Sequence, residues 1–337
     1  MSGQESNTGN IMQVVRMHAY GGPEVLQLEE LPMPVPEASQ ALVRVMAAGV
    51  NFMDTYSRRV SHPLFSTPLP RSMGIEGAGV VQAVGPGVTH IRAGDRVAWG
   101  WGTIQGSYAT HLLAPVGELV PLPDSISFEQ AAAVITQGMT AHMLSHSVYP
   151  LKPGDSCLIQ TIAGGVGLLL CQMARMCGAQ VIGTTSTPAK AQAAYKAGAD
   201  AVIIYGEGNI AEEVRRLTKG KGVNVVYDAV GKDTFEANLD SLAIRGWLVL
   251  YGQASGPVPP VDVRQLMIKG SLVLTSVTGL HFSQPEEMRQ RFHDIFRWMA
   301  EGTLRPEIDH VYPLTEVAKA HEALEQRRNI GKVLLIP

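Results

Sequence analysis

Short apolar runs broken by glycine and proline fill the first third of the chain. Val14-Val15-Arg16-Met17 and Ala41-Leu42-Val43-Arg44-Val45 run or alternate apolar, and Pro or Gly punctuates the chain beyond each, so both predict strands. Proline excludes helix interiors and sheet centres, so Leu31-Pro32-Met33-Pro34-Val35-Pro36 is expected to be an extended connector. The small and β-branched stretch 77–84 predicts a strand that ends at the Gly85-Pro86-Gly87 turn. Residues 91–97 predict a further strand–turn–strand. Strands this short at this spacing predict a barrel-like or folded antiparallel sheet.

The period changes near residue 128. An Ala-rich helix is expected over 128–144, capped by Asp124 or Ser127. Strands then alternate with helices. Strands are predicted at 157–160, 180–183, 201–204, 223–227, 247–250 and 272–274, and helices at 166–176, 188–197, 210–217 and 234–242. That alternation predicts an α/β fold with a doubly wound parallel sheet. Beyond about residue 280 it ends, with amphipathic helices at 286–300 and 316–326 and a last strand at 332–336. This tail is expected to rejoin the first domain, because the sheet module closes without it.

A length of 337 residues favours two domains. With 45% hydrophobic and 17% charged residues the chain is no disordered polymer. A formal net charge of -3 and pI ≈ 6.4 give no bulk attraction to nucleic acid or to an anionic membrane. Cys157, Cys171 and Cys177 cannot all pair internally and read as buried or inert thiols of a reducing, cytoplasmic compartment. No apolar run reaches the ~20 residues that cross a bilayer. The polar segment 1–10 lacks the apolar core of a signal peptide and reads as a frayed tail.

The sharpest motif is Ala163-Gly164-Gly165-Val166-Gly167, between a predicted strand and a predicted helix. Small residues there let the backbone turn tightly and approach a pyrophosphate, which then faces helix N–H groups. An NAD site places Asp or Glu roughly 20 residues on, for the ribose 2′-hydroxyl. Here Thr184-Thr185-Ser186-Thr187 occupies that position instead, with Lys190 just beyond, a hydroxyl and cation set that favours a 2′-phosphate. The inferred cofactor is NADPH. No metal site is expected: no cysteine precedes residue 157, and His62, His90 and His111 are scattered. His142 and His146 are four apart but lack the intervening Glu of a zinc-protease motif, since Met143 comes directly after His142.

Several segments together carry a family resemblance. They are Gly21-Gly22-Pro23-Glu24-Val25-Leu26, Val50-Asn51-Phe52-Met53-Asp54-Thr55-Tyr56, Gly74-Ile75-Glu76-Gly77-Ala78-Gly79 and Ala93-Gly94-Asp95-Arg96-Val97. Ser127-Phe128-Glu129-Gln130-Ala131-Ala132, the glycine loop, Val226-Tyr227-Asp228-Ala229-Val230-Gly231 and Leu334-Leu335-Ile336-Pro337 complete the set. Nearly the whole chain past Asn10 resembles the zinc-independent medium-chain dehydrogenases/reductases, in particular the bacterial NADPH:quinone oxidoreductases and their zeta-crystallin-like kin. The resemblance implies a GroES-like β-rich catalytic domain from 11–137 and 279–337 and a Rossmann NADPH-binding domain from 138–278, with the nicotinamide in the cleft between them. It implies hydride transfer from NADPH to a quinone without zinc. The alternatives are reduction of an enone or alkenal C=C bond on the same fold, and a non-catalytic NADPH-binding structural or RNA-associated protein.

Zinc-dependent relatives carry a cysteine ligand where this chain has Asn51. By the same resemblance Asn51, Phe52 and Tyr56 line the nicotinamide and substrate pocket, and Asn51 and Tyr56 are expected to donate to a developing oxyanion. Thr140 matches a nicotinamide-side position, and Gly164, Gly165, Val166 and Gly167 the pyrophosphate loop. Ser186, Lys190 and Tyr205 match the 2′-phosphate and adenosine-ribose site, and Val230, Gly252, Gln253 and Arg327 further cofactor contacts. A homodimer is implied, with 272–274 as a candidate edge strand to pair across the two-fold axis. The chain departs from the family at Gln253, where Asn is usual, and at Thr275-Ser276-Val277, where Thr-Arg-Pro is usual. It also carries Trp99 and Trp101, whose indoles either stack flat aromatic substrates or pack the barrel.

Overall fold

A computed structural model describes residues 11–60 and 68–337 of the chain. The segment 1–10 and His62 lie outside the described residues. Two compact units emerge. The first runs to Thr136 and takes back Ile308–Pro337, and the second is Gln137–Glu307.

In chain order the first unit holds β1 (Ile11–Met17), β2 (Gln27–Pro32), β3 (Gln40–Val50), α1 (Phe52–Arg59), β4 (Arg71–Ser72), β5 (Gly77–Val84), β6 (Arg96–Trp99), β7 (His111–Pro115), β8 (Val120–Pro121) and the start of α2 (Phe128–His142). The second unit continues with β9 (Ser156–Ile159), α3 (Gly165–Met176), β10 (Gln180–Thr185), α4 (Pro188–Lys196), β11 (Ala201–Ile204), α5 (Ile210–Leu217), β12 (Val223–Asp228), α6 (Phe235–Ser241), β13 (Leu242–Leu250), α7 (Val263–Ile268), β14 (Val273–Ser276) and α8 (Pro285–Ala300). β15 (Ile308–Pro313), α9 (Val317–Glu325) and β16 (Lys332–Ile336) return to the first unit.

The first unit is built on β3, which pairs with β16, β5 and β7 and buries most of its residues. Its seven-stranded sheet runs β15-β16-β3-β5-β6-β8, with β7 also on β3, and a three-stranded sheet runs β2-β1-β4. Val15, Val43, Val81, Val97, Trp99, Leu112 and Leu335 share one core. The last strand closes the unit, pairing Leu334 with Gly49.

The second unit is the six-stranded sheet β11-β10-β9-β12-β13-β14, parallel throughout, with Val226 beside Leu158 and Leu158 beside Ile182. Helices cover its faces, so Cys157, Leu158 and Ile159 are fully buried. Among the described residues, no helix is long and apolar enough to cross a membrane.

Four expectations change. Leu31 and Pro32 belong to β2 rather than to a connector, with Pro32 opposite Ile11 at the end of an edge strand, where a missing N–H is tolerated. Ile91 lies in a loop, and only Arg96–Trp99 forms a strand there. The helix expected over 128–144 leaves α geometry at Met143 and runs as a π-helical turn to Val148, with the His142 and His146 rings stacked 4.3 Å apart. Residues 279–307, expected in the first domain, belong to the second unit. There α8 buries Phe292, Ile295 and Phe296, Arg291 donates to Ser147 Oγ at 3.0 Å, and Asp294 Oδ2 lies 3.3 Å from His142 Nε2. An amphipathic pattern shows that a helix has a buried face but not which sheet it covers.

Candidate active site

In the second unit, the loops at the carboxyl ends of the parallel strands gather most of the residues singled out from the sequence. Ligands of open parallel sheets bind at these ends. Past β9 the chain turns through Gly164, the N-cap of α3, in extended conformation (φ -75, ψ 169). The Gly165, Val166 and Gly167 amides form the first turn of a 12-residue helix, so they point outward without intrahelical acceptors. A Cβ on Gly167 would stand 2.5 Å from the Ile162 carbonyl oxygen and 2.7 Å from its carbon. Only glycine lets α3 lie that close to the turn. A Cβ on Gly165 would strike the Gln137 carboxamide, whose Oε1 is buried without a hydrogen-bond partner.

Past β10, Ser186 is exposed and Thr187 caps α4, accepting from the Lys190 backbone N–H at 3.3 Å. Lys190 is half-buried on that first turn. No carboxylate lies in the 184–187 segment. Tyr205 lies just past β11, its hydroxyl 2.7 Å from Thr184 Oγ1 and donating to Gln160 Oε1 at 2.9 Å. Gln160 Nε2 donates to Asn238 Oδ1 at 2.6 Å, and Asn238 Nδ2 to Asp228 Oδ2 at 2.9 Å. Asp228 also accepts from Val230 N–H (2.6 Å), Gly231 N–H (3.2 Å) and Thr234 Oγ1 (2.9 Å). Burial raises its carboxyl pKa against those bonds. This web ties the ends of β9, β10, β11 and β12 together. Gln160 and Asn238 were not singled out from the sequence, and Thr184 and Asp228 only as members of longer segments, although a polar residue at the end of an apolar strand run was a usable signal.

The β12 and β13 loops are laced in turn. Ala254 N–H donates to Ala229 O at 3.0 Å and Ser255 N–H to Val230 O at 2.8 Å. Val230 is buried, a Cβ on Gly252 would stand 2.8 Å from the Ala229 carbonyl oxygen, and Gln253 is exposed. Thr140 is on α2, and Arg327 (φ 54) comes just past α9 in the first unit.

In the first unit the candidate residues ride on α1. Asn51 is its N-cap in extended conformation (φ -125, ψ 155), and its backbone N–H donates to Asp54 Oδ2 at 2.9 Å. Asp54 is fully buried and also accepts from the Tyr108 hydroxyl at 2.8 Å, and burial pushes its carboxyl up to about 7. The far end of α1 is held by buried Arg58, which donates to Gly21 O (3.1 Å) and Glu325 Oε1 (2.5 Å) and lies 3.1 Å from His321 Nδ1. Burial, then the Arg58 charge, holds His321 down at about 3. Phe52 and Tyr56, one turn apart on this anchored helix, are half-buried with ring centroids 6.2 Å apart.

The surroundings of Asn51 and of the two tryptophans bear on readings made from the sequence. Asn51 is held on both sides of its amide: one Nδ2 hydrogen goes to Glu76 Oε1 at 2.6 Å, and its Oδ1 accepts from Lys332 Nζ at 3.0 Å. Of the two roles left open for the tryptophans, Trp99 takes the packing one. It is fully buried and donates from Nε1 to Ser107 Oγ at 2.8 Å, so barrel packing accounts for it. Trp101, in the left-handed region at φ 65, keeps partial exposure. Among the described residues, no group of three or more His, Cys, Asp or Glu is placed to hold a metal ion.

A β-rich unit closed by the chain's last strand, joined to a six-stranded parallel sheet with a glycine turn, defines the class of medium-chain dehydrogenases/reductases. Two family profiles match, "Alcohol dehydrogenase GroES-like domain" over residues 37–124 and "Zinc-binding dehydrogenase" over 165–300. The chain is 44% identical to the quinone oxidoreductase of Pseudomonas aeruginosa, covering 96% of this chain and 99% of that one. It is 39% identical to a 2-haloacrylate reductase of a Burkholderia species over 95% of this chain and 98% of that protein. The solved structure of Escherichia coli quinone oxidoreductase complexed with NADPH superposes with a TM-score of 0.92 at 41% identity, covering 96% of this chain and 100% of that one. The chain belongs to the quinone oxidoreductase family.

Proposed function

We propose that this protein is an NADPH-dependent quinone oxidoreductase. The observation that carries the reading is the strand-end site of the second unit: outward amides at Gly165, Val166 and Gly167, and a hydroxyl at Ser186 and an ammonium at Lys190 with no carboxylate in the 184–187 segment. Those groups fit NADPH. The α3 amides and helix dipole suit its pyrophosphate, the buried Gln137 Oε1 beside Gly165 is an acceptor left unused by the protein, and Ser186 and Lys190 suit the 2′-phosphate. Tyr205, Val230, Gly252 and Gln253 border the same loops, and Thr140 and Arg327 are proposed as further contacts. The relatives named quinone oxidoreductase, one of them solved with NADPH, support the same reading.

When bound, NADPH supplies a hydride. The chain's own task is to orient and to exclude water, worth several kcal/mol of barrier. A quinone that accepts hydride becomes a hydroquinone anion. Asn51 and Tyr56 are proposed to donate to that oxygen, with Phe52 packing alongside, and water then supplies the proton. The Asn51 surroundings do not fit a catalytic metal, because the Lys332 ammonium meets both the Asn51 carbonyl and Glu76. A cation would be repelled there, so the proposed reaction runs without zinc.

A second reading, reduction of an activated C=C bond, is favoured by the kinship with 2-haloacrylate reductase. NADPH oxidation tracked at its absorbance band against 1,4-benzoquinone, a simple enone and an alkenal separates the readings. Faster turnover with the quinone supports the first, and faster turnover with the enone replaces it with the second. No turnover with any acceptor leaves only an NADPH-binding structural protein.

We also infer a homodimer. β14 ends the parallel sheet, and beside it Ile244, Val263, Met267 and Ile268 expose apolar side chains. Light scattering of the purified chain at twice the protomer mass supports this, and the protomer mass refutes it. The free cysteines, two of them buried, suit a cytoplasmic location, and the acidic balance argues against a nucleic-acid partner.

A further inference from the structure

Asn51, Glu76 and Lys332 are 25, 256 and 281 residues apart in their three pairings, yet they form one closed cluster. Asn51 Nδ2 donates to Glu76 Oε1 (2.6 Å), Lys332 Nζ donates to Asn51 Oδ1 (3.0 Å), and Lys332 bridges to the same Glu76 oxygen. The other carboxylate oxygen accepts from the Thr136 backbone N–H at 2.9 Å. Any side chain on Gly49 would collide with both Glu76 and Lys332.

The chemistry leaves the amide one orientation. An ammonium only donates and a carboxylate only accepts, so the carbonyl must face Lys332 and the NH2 must face Glu76. Glu76 and Lys332 are sealed, at 0% and 1% exposure, whereas Asn51 keeps 8%. The asparagine is the one member that reaches the surface. Its Nδ2 has two hydrogens, Glu76 takes one, and among the described residues no acceptor meets the other.

We propose that Glu76 and Lys332 are positioning residues that lock the Asn51 amide with one N–H facing outward, ready to donate to the oxygen that gains charge when the acceptor is reduced. This rests on the donor role proposed for Asn51. The pair does not touch substrate. Its effect runs through Asn51, as preorganised donors act, by removing the need to reorient during the reaction.

Lys332→Met alone strands a buried carboxylate and threatens folding. The variant to use is therefore Glu76→Gln with Lys332→Met, its fold checked by urea unfolding. kcat and KM are measured with 1,4-benzoquinone and the NADPH dissociation constant by nicotinamide fluorescence, for wild type, Asn51→Ala, the double variant and the triple variant. Asn51→Ala is expected to lower kcat about a hundredfold, and the double variant roughly tenfold or more, with NADPH affinity held within about twofold. The triple variant should turn over no more slowly than Asn51→Ala alone, because the pair has nothing left to position. A folded double variant with wild-type kcat, or losses that multiply in the triple variant, overturns the proposal. If Asn51→Ala keeps wild-type kcat while quinone turnover persists, the donor role falls and the proposal with it. Absence of quinone turnover in the wild type refutes the functional reading itself.

Discussion

Gly167→Ala sets two physical effects of opposite sign against each other. The residue lies in the first turn of α3, where alanine is favoured over glycine by about 1 kcal/mol on propensity alone. The new Cβ, however, would stand 2.5 Å from the Ile162 carbonyl oxygen, about 1 Å short of ordinary contact. The obstacle is backbone, so no rotamer change relieves it, and the helix must lift off the turn. Overpacking of that kind destabilises by about 1–3 kcal/mol, which outweighs the propensity gain. A net loss of up to about 2 kcal/mol is expected in urea unfolding. NADPH affinity should weaken by about tenfold or more, since the displaced turn carries the amides proposed to meet the pyrophosphate. Gly164→Ala is the control. Its φ of -75 suits alanine and its nearest neighbour, the Thr161 carbonyl oxygen, is 3.3 Å from the new Cβ, so the change should be small. A Gly167→Ala protein more stable than wild type, with unchanged NADPH affinity, would refute the close-packing argument.

Asp54→Asn tests the buried carboxyl. Its folded value of about 7 lies above the usual 3.8, so between those values the folded chain holds a proton the unfolded chain has released. Wild-type stability therefore drops with rising pH across that window, by up to about 4 kcal/mol from this group, and the asparagine variant should lack that drop. Urea unfolding at pH 5 and pH 8 with equal slopes in both proteins would exclude the effect. Lys190→Ala should weaken NADPH by roughly ten- to a hundredfold while leaving NADH affinity alone, as expected for a charge-assisted bond to phosphate. An equal loss for both cofactors in fluorescence titration would assign Lys190 to the helix instead. Trp99→Phe removes the bond to Ser107 and buried volume, so it should lower stability by about 1–3 kcal/mol without altering KM for quinones. A raised KM at unchanged stability would return the indole to the substrate pocket.

The second unit was largely legible from sequence because its strands carry local signals. Cys157 to Ile159 is a short apolar run covered on both faces, and Gly164 to Gly167 sits where a strand hands over to a helix. Residues that meet only through the fold were not legible. Nothing near Asn51 announces Lys332, and nothing near Arg58 announces His321, 263 residues later. The same limit explains α8, whose apolar stripe is plain but whose partner is not. The π-helical turn after His142 also left no periodic trace, since it changes the hydrogen-bond register of a segment whose composition still reads as helix. Trp99 stayed between two roles in the sequence because an indole beside a glycine suits a rim as well as a core, and only its place in β6 puts the ring in the core.

The most direct test of the whole account is calorimetric titration of the purified chain with NADPH and with NADH at one ionic strength. The account predicts saturable heat with NADPH and at least about tenfold tighter binding than for NADH, from the 2′-phosphate meeting Ser186 and Lys190. No heat with NADPH, or tighter binding of NADH, would contradict it.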